Sequence, residues 1–164
     1  MIQVELTSLA VDVRGMPVVL LKPRTPLPDA SVILPLWIGE QEAAAIMIAV
    51  QGAEAARPMS YDLMARLLAA VDASVVQVAV TALEGGTFYA EITLDSAGGR
   101  QVIDALPADS IALALRVQAP IFVAEEVLRS AGIPESEISD PKQEEQVEQF
   151  TEFLDSVDPD DFRG

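Results

Sequence analysis

Residues 104–132 read DALPADSIALALRVQAPIFVAEEVLRSAG, and the fold is decided in how they are read. A polar strand end, Asp104, Ala105 and Leu106, runs into Pro107. Asp109 and Ser110 stand where a helix N-cap belongs, ahead of the apolar run 111–115. Arg116 falls in that helix's last turn, where a cation complements the dipole. Pro120 stops the helix, because the residue before a proline avoids the α region. Ile121, Phe122 and Val123 read as a short buried strand or a hydrophobic plug. Glu125 and Glu126 open another short helix, and Gly132 caps it.

Three strands precede this stretch, at 75–83, 87–94 and 100–106. The middle one alternates cleanly, with Phe88, Ala90, Ile92 and Leu94 facing in and Thr87, Tyr89, Glu91 and Thr93 facing out. Further back the same order recurs. Strands at 2–13, 18–21 and 32–38 are joined by short turns, and a phase shift near Thr7 and Ser8 predicts a bulge. A helix over 40–51 has an Ala-rich face and Gly52 as its C′ residue. A second helix, 61–71, has Ser60 as N-cap and an apolar stripe of Leu63, Met64, Leu67, Leu68 and Val71. The order β-β-β-α-α thus occurs twice, at about 1–72 and 73–133. The expectation is an α+β domain over 1–133, two β3α2 repeats around one curved, barrel-like mixed sheet covered by helices.

Residues 134–164 form an acidic appendage. Asp140, Pro141 and Gln143 fit an N-cap, a proline at the first helical position and a capping-box partner. The helix expected after them places Val147, Phe150, Leu154 and Val157 on one stripe with Phe153 beside it. Burying that stripe against the core is worth several kcal/mol, so docking is favoured over partner binding.

Composition narrows the chemistry. The chain of 164 residues has no cysteine, so disulfide and thiol chemistry are excluded. It has no histidine either, which removes the commonest general base and every Ser-His-Asp arrangement. The formal net charge is −16. Residues 135–164 carry eleven acidic and two basic side chains, and residues 1–134 carry fifteen and eight. Neither part has the basic footprint of a simple nucleic-acid binder. No apolar run is long enough for a membrane span, and the N-terminus lacks the pattern of a signal peptide. The expectation is a cytoplasmic protein.

Four segments carry a family likeness: LPLWIGEQEAAAI (34–46), RPMSYDLMARLL (57–68), EGGTFYAEI (84–92) and LPADSIALALRVQAPIFVAEEVL (106–128). They resemble the bifunctional nuclease domain family, over about residues 2–133 and in the family's order. The tail is similar to the short acidic helix of actinobacterial members. The resemblance implies two β3α2 repeats, frequent oligomerisation and nuclease activity on RNA and DNA. The family pattern R-P-x-T-H-D-L is met here by Arg57, Pro58, Met59, Ser60, Tyr61, Asp62 and Leu63, so tyrosine stands in place of histidine. The pattern R-P-S-D is met by Leu106, Pro107, Ala108 and Asp109. Loss of the arginine, serine and histidine would suit a weak or inactive member.

Without histidine, phosphodiester hydrolysis is expected to use Mg²⁺ or Mn²⁺ held by carboxylates. Asp62, Asp109 and Glu42 are the candidate metal ligands, with Asp104 and Glu126 as further members of a cluster. Arg57 and Arg116 would steady a phosphate, so Asp62, Asp109, Arg57 and Arg116 form the candidate catalytic set. Tyr61 and Tyr89 could stack on a base. Each residue also has a plain role: Asp109 as an N-cap, Asp62, Glu42 and Glu126 as first-turn acids, Arg116 as a last-turn cation, Arg57 in a salt bridge. Three readings follow. One is a metal-dependent nuclease acting on nucleic acid. The second is a non-catalytic regulatory or protein-binding module, with a homodimer as the first assembly expected. The third is a small-molecule-binding oligomer.

Overall fold

The computed structural model describes residues 1–27, 31–53 and 56–138. The helix expected after Pro141 lies outside the described residues. The elements run β1 (Ile2–Val11), β2 (Pro17–Pro23), β3 (Val32–Trp37), α1 (Glu40–Val50), α2 (Ser60–Ala70), β4 (Ser74–Glu84), β5 (Thr87–Asp95), β6 (Gln101–Ala105), α3 (Pro107–Val117), β7 (Ile121–Val123), α4 (Glu125–Ala131) and β8 (Ile133–Pro134). A single 3-10 turn, Glu135–Glu137, follows.

All eight strands join one sheet in the order β6-β5-β4-β7-β1-β2-β3-β8. Each meander is antiparallel, and β7 lies between them, antiparallel to β1 and parallel to β4. The short apolar strand Ile121–Val123 is therefore the seam that joins the two halves. The sheet is mixed, curved and open, with β6 and β8 at its edges. The expected bulge is present, since the β1–β2 register shifts between Leu6 and Ser8.

The main core lies between the sheet and α1, α3 and α4. Val19, Leu21, Leu34, Val80, Ala90 and Val123 from the strands meet Ile46, Ile111 and Val127 from the helices. The helices α1 and α3 pack on each other. Ala43, Ala112 and Ala114 are fully buried there, and their small side chains let the two backbones approach closely.

The helix C-termini of α1 and α2 close alike. At α1 the Gly52 N–H bonds to the Ala49 carbonyl and the Ala53 N–H to that of Ile48, a Schellman closure with Gly52 at φ +63°. Asp72 closes α2 in the same way at φ 53°. Two N-termini differ from expectation. Helix α3 starts at Pro107, not after Asp109, because proline is pre-set for the first helical position and its missing N–H is not needed there. Helix α2 starts at Ser60, with Met59 as the N-cap residue. Both starts leave a carboxylate inside the first turn: Asp109 is not spent on its own helix end, whereas one oxygen of Asp62 accepts the Met59 N–H.

The largest departure concerns α2. An apolar stripe ordinarily faces a core, yet no residue of this helix is buried. The inner sheet face is already filled by α1, α3 and α4, so α2 rests against the flank of α3. From α2, Tyr61 alone reaches the margin of the main core.

Candidate functional site

The flank where α2 meets α3 brings the two family motifs together. Tyr61, second residue of α2, donates its hydroxyl to Asp109 Oδ1 of α3 at 2.7 Å. Asp109 is available because Leu106, not Asp109, occupies the N-cap position. Ser110 turns inward instead and donates to the Leu106 carbonyl at 2.9 Å. Half-burial of the phenol, the hydrogen bond to Asp109 and that carboxylate's charge, with Glu42 adding a weaker repulsion, push the Tyr61 pKa well above its usual value. Tyr61 therefore stays protonated across the physiological range.

A second pair stands beside the first. Arg116 Nε is ion-paired with Asp62 Oδ1, and both side chains are mostly buried, at 24% and 13% exposure. The other Asp62 oxygen accepts the Met59 N–H at 3.0 Å, closing the first turn of α2. Arg116 also donates to the Ala53 carbonyl at 3.3 Å. One guanidinium thus ties α2, α3 and the segment after α1. A narrow cleft of about 20 Å³ opens among Ala45, Ile48, Met59, Tyr61, Asp62, Ala112 and Arg116.

The other candidates separate. Glu42 folds its carboxylate back over Gly39, where a Cβ would collide with it. Arg57 is exposed on the segment leading into α2, and no hydrogen bond or ion pair engages it among the described residues. Asp104 is exposed on β6, opposite Glu91. Glu126 is exposed in the first turn of α4. Tyr89 lies on the outer sheet face at 42% exposure.

The donor set does not fit a divalent cation. Mg²⁺ and Mn²⁺ need several oxygen ligands converging on one point. Among the described residues, no three acidic side chains form such a group. Asp62 is committed to Arg116 and Asp109 to Tyr61. The Tyr61–Asp109 bond itself was not foreseen. The signal lay in the motifs, because tyrosine takes the histidine position of one and Asp109 ends the other.

No helix among the described residues is long and apolar enough to cross a membrane. The bifunctional nuclease domain matches residues 19–136. Two uncharacterized proteins of Mycobacterium tuberculosis, from strains CDC 1551 / Oshkosh and H37Rv, are each 46% identical over 137 residues, 80% of this chain and 81% of the relative. The match spans both motifs that meet at Tyr61 and Asp109, and the chain belongs to the bifunctional nuclease domain family.

Proposed function

We propose that the chain handles phosphodiesters as a slow nuclease, at the α2–α3 flank. The observation that supports this is the meeting of Tyr61 and Asp109, which come from two distant family motifs and form one hydrogen-bonded couple. In this reading Arg57, exposed and engaged by no hydrogen bond or ion pair among the described residues, takes a phosphate oxygen. Asp109, held at Oδ1 by the Tyr61 hydroxyl, is the base that takes the proton of the attacking hydroxyl on its other oxygen. Arg116 and Asp62 hold the two helices in register and do not touch substrate.

RNA is the favoured substrate on chemical grounds. Its 2′-hydroxyl supplies a nucleophile inside the substrate: its proton passes to Asp109 as the O2′–P bond forms, the P–O5′ bond breaks, and the 5′ oxygen takes a proton from water, leaving a cyclic phosphate. DNA needs an activated water, and no metal-binding carboxylate cluster stands among the described residues to supply it. The net charge of −16 favours short, single-stranded substrates that engage few phosphates. The test is single-turnover cleavage of labelled RNA and DNA, with Mg²⁺, with Mn²⁺ and with EDTA. RNA cleavage that survives EDTA and falls in Tyr61→Phe, Asp109→Asn and Arg57→Gln is expected. Cleavage untouched by all three substitutions overturns the site, and a well-folded protein that cleaves nothing overturns the activity.

A second reading, a non-catalytic homo-oligomeric module, rests on α2. Leu63, Met64, Leu67 and Val71 are 51%, 41%, 59% and 67% exposed on one helix. A contiguous apolar stripe of this kind suits pairing with a second copy. Light scattering on the full chain and on Leu63→Lys/Leu67→Lys decides it: a dimer that becomes a monomer supports the reading, and a monomer in both sinks it.

A further inference from the structure

The two edges of the sheet are finished differently. The β3 edge is covered by β8, through the pairs Val32 with Pro134 and Ile33 with Ile133. Pro134 has no N–H to offer a further strand. The segment is pinned in place, because the Glu135 N–H bonds to the Ser31 carbonyl and Lys22 Nζ holds the Glu135 carboxylate at 2.6 Å. The β6 edge has none of these devices. Among the described residues, β6 pairs with β5 alone and its other side is bare. It holds no proline, and its register with β5 runs without a bulge. Val102 and Ile103 are 59% and 43% exposed on it. A bare edge of this kind is a template for another strand.

The outer face of this edge also carries an unbalanced charge. Glu91 on β5 and Asp104 on β6 are directly opposite each other. Like charges so placed repel. Both are exposed, and among the described residues no ion pair engages either. Arg100, just before β6, is exposed and without an ion pair as well. Side chains alternate along a strand, so Arg100, Val102 and Asp104 share one face. An antiparallel pairing of two β6 edges about a two-fold at Val102 sets Arg100 of each copy opposite Asp104 of the other. Val102 then meets its own counterpart between the two ion pairs. Neighbouring registers lack this match. A two-fold at Ile103 sets Asp104 against Val102, and one at Asp104 sets two carboxylates face to face.

We propose that the free edge of β6 is a contact between two copies of this chain, joined β6 to β6 about Val102 in one continuous sheet. Arg100 of each copy supplies the cation that the Glu91–Asp104 pair of the other lacks. The contact does not use the α2 stripe.

Sedimentation of the full chain over a concentration series tests this, beside Arg100→Glu, Asp104→Arg, a mixture of the two, and both changes in one chain. The wild type is expected to dimerise. Each single reversal sets like charges face to face at both ends of the contact and should weaken the dimer by roughly tenfold or more. An equimolar mixture of the two single variants should recover it, because both facing pairs are then of opposite sign. The double exchange in one chain should recover it too. Recovery in the mixture is a result that misfolding of either variant does not imitate. A wild type that stays monomeric overturns the proposal. A dimer indifferent to both reversals overturns it as well, and its loss in Leu63→Lys/Leu67→Lys then places the contact on α2. Reversals that break a dimer which the mixture does not restore also overturn it.

Discussion

Tyr61 and Asp109 lie 48 residues apart and share one hydrogen bond of 2.7 Å at the junction of α2 and α3. The bond joins the two halves of the chain at the place where the family motifs converge. Its phenol is held protonated by burial first and by the carboxylate second. The folded pKa lies above the unfolded one, so its stabilisation is complete below the ordinary tyrosine pKa of 10.0 and is lost as pH rises beyond it. Of the two tyrosines, Tyr61 is expected to ionise only with alkaline unfolding. Absorbance at alkaline pH, in wild type and Tyr61→Phe, checks this. Phenylalanine should also lower stability by about 1–2 kcal/mol, since the acceptor is charged but only half-buried.

The Arg116–Asp62 pair predicts an asymmetric response. Asp62→Asn removes the charge partner of a guanidinium at 24% exposure and weakens the α2 first turn. A loss of roughly 2–3 kcal/mol is expected, below the full cost of a deeply buried pair because water still reaches Arg116. Replacing both residues together, as Asp62→Asn/Arg116→Met, should cost less than the sum of the single changes. Urea unfolding of the four proteins measures that coupling.

Gly132 is fixed by crowding and not by backbone conformation. Its φ is −71°, a value open to any residue, but an added Cβ would meet the Leu128 carbonyl and the Val32 Cγ1. Gly132→Ala should therefore destabilise by about 1–3 kcal/mol by pushing α4 from β3. Gly52→Ala should cost about 1 kcal/mol for a different reason, its φ of +63°. Thermal unfolding distinguishes them when Val32→Ala is added, which should recover part of the Gly132→Ala loss, the Leu128 carbonyl still crowding the Cβ, and none of the Gly52→Ala loss.

Burial predicts opposite outcomes for two apolar helix residues. Ile46 is fully buried on α1, whereas Leu67 is 59% exposed on α2. Ile46→Ala should cost about 2–5 kcal/mol through loss of burial and a cavity. Leu67→Ala should change monomer stability by less than about 0.5 kcal/mol. A large loss for Leu67→Ala that grows with protein concentration would point to the helix face as an interface.

Asp12 gives an acid-side marker. The Met16 and Arg14 backbone N–H groups, the Trp37 indole and the Arg14 charge together hold its carboxyl down at about 2. A depressed carboxyl stabilises above its ordinary value of 3.8, and that contribution fades as pH falls through about 2. Trp37 Nε1 donates to Asp12 Oδ2 at 3.1 Å, so the indole N–H resonance should titrate with it. A midpoint near pH 4 would sink the expectation.

The sequence by itself determined the elements up to α4, their order and the family. Alternation marked the strands, turn residues the hairpins, and the short apolar run Ile121–Val123 a buried strand or plug; its place between the halves, and β8 beyond it, came from the tertiary structure. Those are local properties, carried by periodicity and backbone preference. Arg57, Asp62, Asp109 and Arg116 could be picked out because motifs are also local. Which of them meet was not legible. The stripe on α2 reads like any core-facing stripe, and only the sheet face already taken by α1, α3 and α4 turns it outward. The start of α3 at Pro107 leaves Asp109 uncommitted to its own helix, and the position of α2 then supplies the Tyr61 hydroxyl. Partner choice depends on how helices of the two halves pack across the sheet, a non-local outcome that only the tertiary structure decides.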